Sequence, residues 1–263
     1  MIKVVARHQS GHWSEVDTPS FRENTMKLRK PDHQGASVPT LISRTEVADQ
    51  STNRTFHKVD KQTDLDDDWR WFHPHFPGTN RFVDCSLEWN VEYWKLLDHG
   101  IRVLTDFRVT TADNHVELLP SNMPWVILES KLQKNWLLLF SVAHNNLDNT
   151  PRRAAAWVEE GHTFKGFQKR QAAHHKGIHR LHQADMNKNI RRQQERLQVQ
   201  NGMLMSTGLK YAWNIDKLPK KGTTKWGAII DYSCSNMETR GTTKIGGNTG
   251  FSDHNWIETT WHA

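Results

Sequence analysis

The chain of 263 residues carries 35 Lys and Arg against 29 Asp and Glu, with 36% hydrophobic and 10% aromatic residues. That length fits one large domain or two small ones with a substantial core, and the composition excludes wholesale disorder. No apolar run approaches the roughly 18 residues of a membrane span, and the start MIKVVARHQS has no signal-peptide pattern. Two cysteines, Cys85 and Cys234, cannot build a disulfide framework or a cysteine-based zinc site, so an intracellular or virion setting is expected.

A short strand is expected at Ile2–Ala6, followed to residue 60 by a polar, irregular arm containing Pro19, Pro31 and Pro39. Asp64, Asp66, Asp67 and Asp68 form an acid run without the ligand register of a calcium loop, and read as a solvated loop. Pro74, Pro77 and Gly78 then force turns. Leu87, Val91, Trp94 and Leu97 are spaced 4, 3 and 3, which predicts a helix over 87–98. In IRVLTDFRVT, Ile101, Val103, Phe107 and Val109 alternate with Arg102, Asp106 and Arg108, the period of a half-buried strand. Ala112–Asn114 supplies a turn from which HVELLP returns antiparallel. PWVILESKL and NWLLLFSVA predict two buried strands of a hairpin and the centre of the core.

Thr150–Pro151 is a helix start, with threonine as N-cap and proline at the first helical position. That helix is predicted to stop near Gly161, and a second to run over 164–200 and end at Asn201–Gly202. Its apolar stripe would be Ile178, Leu181, Met186, Ile190, Leu197 and Leu204. Residues 207–263 read as short strands between glycine- and threonine-rich turns, with WGAIIDYSC the apolar one. The expected class is α+β: an antiparallel β-rich core (81–143 and 207–263), a basic helical segment (151–200) and an irregular N-terminal arm. The expected division is 1–60, 61–150, 151–206 and 207–263.

Residues 151–200 hold eleven basic and four acidic side chains, a balance of +7, which leaves −1 for the rest of the chain. A concentrated positive stripe attracts a polyanion better than scattered charge. Its candidate contacts are Lys165, Lys169, Arg170, Lys176, Arg180, Lys188, Arg191, Arg192 and Arg196. Twelve tryptophans against three tyrosines is a second anomaly. Trp69, Trp71, Trp226, Trp256 and Trp261 lie in polar, turn-rich contexts and are candidate interface anchors or sugar platforms.

Two constellations carry possible chemistry. Asp106 in a strand, with Glu129 and Lys131 at a strand end, resembles the PD-(D/E)xK nuclease core over about 88–131, with Glu88 or Glu92 as an added acid. The resemblance implies magnesium held by the acids and a water activated by the lysine. His175, His179 and His182, beside His174, would share one helix face and form a weak candidate metal site. Phosphate-loop, dinucleotide and nucleophile-elbow motifs are absent.

Together these features favour a non-enzymatic structural or assembly component of a virion or nucleoprotein particle, with no cofactor. Other subunits would be its partners, in an oligomer or hetero-complex, and the 151–200 helices would contact DNA, RNA or an acidic neighbour. The alternatives are the magnesium-dependent nuclease and a carbohydrate-binding module.

Overall fold

The computed structural model describes residues 2–10, 26–31, 38–46, 62–63, 66–74, 83–110, 116–145, 151–239, 243–247 and 252–263. Its strands are β1 (Lys3–Gln9), β2 (Leu41–Arg44), β3 (Gln62–Thr63), β4 (Asp66–Phe72), β5 (Ser86–Asn90), β6 (Trp94–Thr110) and β7 (Val116–Ser130). They continue with β8 (Leu137–His144), β9 (His179–Asp185), β10 (Lys210–Tyr211), β11 (Asp231–Ser235), β12 (Glu238–Thr239), β13 (Lys244–Ile245) and β14 (Ile257–His262). Two helices stand out: α1 (Pro151–His174) and α2 (Gln193–Val199), the latter continued by a π-helical turn at Gln200–Leu204.

The strands form two sheets. An eight-stranded sheet runs β12-β14-β1-β2-β5-β4-β3, with β13 also on β14, and a six-stranded sheet runs β10-β11-β9-β8-β7-β6. Val4, Ala6, Leu41, Leu87 and Trp89 of the first pack against Val126, Leu128, Leu138, Phe140 and Leu181 of the second. The other face of the six-stranded sheet, with Ile127, Leu139 and Ala184, is covered by Phe164 and Phe167 of α1 and Val199 of α2. Burial on both faces explains why β7 and β8 read as unbroken apolar runs.

The hairpin of β7 and β8, the antiparallel β6–β7 pair and the helix start at Pro151 match the sequence expectations. The α+β class with a basic helical segment and an irregular arm is overturned, because the molecule is a two-sheet β-sandwich. Three misread elements account for the error. The N-terminal stretch supplies β1 and β2, paired in parallel inside the larger sheet, with β1 also antiparallel to β14. The 87–98 helix is instead β5 and the start of β6, separated by a turn at Val91–Tyr93, where Tyr93 N–H donates to Asn90 O at 3.2 Å. The 164–200 helix is cut at Gly177 (φ +74°), after which His179–Asp185 enters the sheet parallel to β8. Parallel neighbours need a long crossover, and α1 is that crossover.

Of the acid run, Asp66–Asp68 open β4, and Asp64 lies outside the described residues.

Candidate active site

Both parallel pairs deliver their C-terminal ends to one end of the sandwich. β1 exits at Ser10 and β2 at Thr45–Glu46; β8 ends at His144 and β9 at Asp185. Ser10 Oγ donates to Asp185 Oδ2 at 2.8 Å and Thr45 Oγ1 to Ser10 Oγ at 2.7 Å, which ties the two sheets together here. β11 contributes Asp231 at its first residue, and the segment before β14 contributes Ser252-Asp253-His254. Polar groups at strand ends on a rigid scaffold are a common way to build a site.

Two groups of ligand-type side chains meet at Asp185: Glu46, His144 and Asp185, then Asp185, Asp231 and His254, each with its donor atoms within 4.8 Å of one another. Asp185 and Asp231 are fully buried, whereas Glu46 and His144 keep about a fifth of their side-chain surface in water. The result is a dry acidic floor below a wetted rim.

His254 Nδ1 lies 3.0 Å from Asp231 Oδ2, while His8 Nε2 is 3.5 Å from Asp231 Oδ1. Burial would lower the His254 pKa, but the charge and hydrogen bond of Asp231 outweigh it and carry His254 up to about 10. Burial would raise Asp231, yet His254 and then His8 hold it well below the usual carboxylate range. His144 Nδ1 is 2.7 Å from Asp84 Oδ2 and its Nε2 is 3.3 Å from Glu46 Oε1. Against a burial effect of opposite sign, Asp84, Asp185 and Glu46 bring His144 to about 9. Asp185 moves the other way: burial first, and the neighbouring Asp231 charge second, raise its carboxyl above the ordinary range.

The backbone is shaped for these contacts. Glu46 (φ 58°) and Asn187 (φ 47°) both occupy the left-handed region, which non-glycine residues other than Asn and Asp enter rarely. Asn187 N–H donates to Asp185 Oδ1 at 2.8 Å, closing a tight Asp-x-Asn turn, and its side-chain amide donates to Asn145 O. Asn145 donates from Nδ2 to Asp185 O at 3.3 Å, and its buried Oδ1 has no hydrogen-bond partner among the described residues.

The donor set fits a hard divalent cation. Carboxylate oxygens suit magnesium or manganese, and the two imidazoles, His144 and His254, hold their protons at neutral pH and serve as countercharges. A carboxyl as buried as Asp185, with a raised pKa beside Asp231, is a place where negative charge exceeds the available compensation.

The sequence-predicted sites fare differently. Asp106 pairs across the hairpin with Pro120, nine residues along β7 from Glu129. At about 3.3 Å per residue that is roughly 30 Å of strand, so the PD-(D/E)xK trio does not converge. Glu129 instead faces Lys95 at 3.7 Å and Lys131 is exposed. Glu88 is buried in an ion-paired cluster with Arg29 (2.8 Å) and Arg44. His175, His179 and His182 fall on a turn and a strand, not on one helix face. His179 stacks on Trp136 at 4.5 Å, and buried His182 bonds Ser141 Oγ at 2.9 Å, with burial and then the His8 charge pushing its pKa down to about 3.

Among the basic candidates, Lys188 is buried and Arg180 is bound to Gln168 and Thr207 O, both at 2.8 Å. Arg191 grips the carbonyls of residues 219–221, Arg192 pairs with Glu195 and Arg196 donates to Ile190 O. Lys169, Arg170 and Lys176 remain exposed on or just after α1, with Lys165 half-buried. Of the five candidate interface tryptophans only Trp226 is exposed, at 73%; Trp69, Trp71 and Trp261 are buried and Trp256 is largely covered.

No protein-family profile and no curated protein sequence matches the chain. Solved structures do. An endonuclease/exonuclease/phosphatase family protein from Bacteroides thetaiotaomicron superposes with a TM-score of 0.63 at 11% identity, covering 98% of this chain and 94% of that one. The sandwich is the endonuclease/exonuclease/phosphatase fold. The human Nocturnin catalytic domain with bound sulfate gives 0.61 at 14% identity, covering 99% and 94%. A mannosyl-6-phosphatase from B. thetaiotaomicron gives 0.59 at 11% identity, covering 97% and 98%.

This likeness overturns the expectation of a structural component of a virion or nucleoprotein particle, since the fold is shared with hydrolases. Of the tryptophans behind the sugar-binding alternative, Trp69, Trp71 and Trp261 are buried and Trp256 is largely covered, which leaves Trp226 exposed. The nuclease alternative fits the fold better than the assembly reading, although its proposed residues lie elsewhere.

Proposed function

We propose that the protein is an enzyme, a divalent-metal-dependent phosphoester hydrolase whose site is the cluster around Asp185. The observation that carries this reading is the pair of carboxylate–imidazole groups that share Asp185 at the strand ends of this fold. Glu46 and Asp185 would hold the cation, and bound there it would neutralise charge on the phosphoryl oxygens.

The chain's own groups have distinct tasks. With Nδ1 committed to Asp231 and a pKa of about 10, His254 is an imidazolium at neutral pH whose Nε2 has no hydrogen-bond partner among the described residues. It is suited to donate to a phosphoryl oxygen as negative charge accumulates there. Asp231 supplies the orientation and the countercharge, and His8 supports it from the other side. Asp185, held by Ser10 and the Asn187 backbone, would present its carboxylate to the cation in a fixed orientation. Asn187 and Asn145 add amide groups beside it.

Turnover of bis(p-nitrophenyl) phosphate and of oligonucleotides with Mg²⁺ or Mn²⁺ tests the reading. Hydrolysis should require the cation and fall at least about 100-fold in His254→Ala, with the fold retained. No hydrolysis of any phosphoester with either cation, or full activity in His254→Ala, would overturn it.

A further inference from the structure

We propose that the turn carrying Lys225 and Trp226 is a substrate subsite that stacks an unpaired base of a polynucleotide strand whose phosphate lies over the acidic floor. The inference rests on the hydrolase reading and narrows it to one substrate class.

The turn is rigid. Gly227 N–H donates to Thr224 O at 3.0 Å, placing Lys225 and Trp226 at the two central positions, and Gly227 takes φ +83° as the chain leaves. Thr223 and Thr224 N–H both donate to Ala228 O, at 2.7 and 3.1 Å, and Ala228 N–H donates to Thr224 Oγ1 at 3.1 Å. The neck is so close that a Cβ on Gly222 would lie 2.2 Å from the Gly227 carbonyl carbon.

The turn is also fastened to the site. Thr224 and His254 form an antiparallel bridge, Asn255 N–H donates to Thr223 O at 2.6 Å and Lys225 N–H to Asp253 O at 3.3 Å. Ile230 N–H donates to Thr223 Oγ1 at 3.1 Å, one residue before Asp231. The segment that holds His254 and the strand that holds Asp231 therefore both fix the position of Trp226.

Trp226 is 73% exposed, and the other large exposed apolar side chains among the described residues are aliphatic. Leaving an indole wet on an immobile turn costs hydrophobic free energy that a bound planar group would recover without ordering a loop. Lys225 Nζ sits 4.5 Å from the ring centroid and places a positive charge on one face of the indole. Lys217 and Lys220 are exposed on the preceding loop, whose carbonyls are clamped by Arg191. An aromatic platform with a lysine on its ring, and further exposed lysines on the preceding loop, is the chemistry that binds bases and phosphates of one strand together. A sugar or an apolar peptide would leave the lysines unused.

The test is fluorescence anisotropy in EDTA with labelled single-stranded DNA, the same strand in RNA, and a strand of equal length with every base replaced by an abasic linker. Trp226→Ala should weaken binding to the base-bearing strands about 10-fold and leave the abasic strand unchanged, with Trp226→Phe restoring most of the loss. Lys220→Ala should weaken all strands alike and flatten the salt dependence. Unchanged affinity of Trp226→Ala for DNA and RNA, or an equal loss on the abasic strand, would overturn the subsite. Loss on only one of DNA and RNA would support it and name the strand. Bis(p-nitrophenyl) phosphate hydrolysis by a protein that binds no strand would overturn the subsite and leave the hydrolase reading standing. Trp226-dependent binding without cleavage under Mg²⁺ or Mn²⁺ would support the subsite and break the hydrolase reading.

Discussion

The two ends of the sandwich solve opposite problems. At one end, the C-termini of two parallel strand pairs bring Ser10, Glu46, His144 and Asp185 together, and Asp231 and His254 complete a buried cluster of charge. At the other end, Trp136 packs on Trp94 at 5.8 Å and stacks on His179 at 4.5 Å, with Trp89 buried beneath the first sheet. The aromatic end is held together by ring packing. The acidic end is not: it holds carboxylates whose charge the local imidazoles only partly offset, so it is poised for a cation and an anionic substrate. Charge left uncompensated in one place, on a frame made rigid elsewhere, distinguishes a site from a core.

That contrast can be broken from either side. The largest effect should come from Asp231→Asn, which keeps the shape of the floor but removes the countercharge of His254; kcat should fall about 10²- to 10⁴-fold while circular dichroism stays native. Trp136→Ala should do the reverse, costing about 3–5 kcal/mol in a denaturant titration while kcat of the folded protein is preserved.

Between the ends lies His182, whose pKa is about 3 in the fold against an ordinary 6.5. The unfolded chain binds this proton first, so stability is lost as pH falls from about 6.5 to 3, by a few kcal/mol at most. His182→Asn should flatten the acid limb of the stability curve in that window. His254 and His144 act in the opposite direction. Their raised values of about 10 and 9 mean that cation-free protein gains stability below pH 6.5 and loses it as pH rises through 9 and 10. The smallest effect is expected for Glu129→Gln on the exposed hairpin end, within about 0.5 kcal/mol and with unchanged turnover.

Elements with a strong local signature were legible in the sequence. The strand through 101–109, the apolar runs of β7 and β8 and the helix start at Pro151 appear as read, although Val103, expected on the buried face, is exposed. The His179–Asp185 strand was not, because a helical stripe through Ile178, Leu181 and Met186 also exists and only pairing with β8 decides for the sheet. The site was less legible still. Asp185-Met186-Asn187 falls within the 164–200 helix reading, His144 just past the apolar run NWLLLFSVA, and His254 among the short strands and turns of 207–263. One signal was available: SRTEV, VAHNN, QADMN and FSDHN each place a carboxylate, imidazole or amide next to a short β segment.

The sequence by itself determined the apolar sheet centre, the start of the crossover helix, the absence of a disulfide framework and the concentration of positive charge in 151–200. It could not determine which charges would be free, because Arg180, Arg191 and Arg196 reveal their carbonyl and amide partners only after folding. Nor could it assemble the site, whose members Glu46, His144, Asp185, Asp231 and His254 are separated by up to 208 positions. Periodicity is a local property that neighbouring residues impose. Convergence is a property of strand order and register, and only the packing of the two sheets gathers those strand ends into two groups that share Asp185.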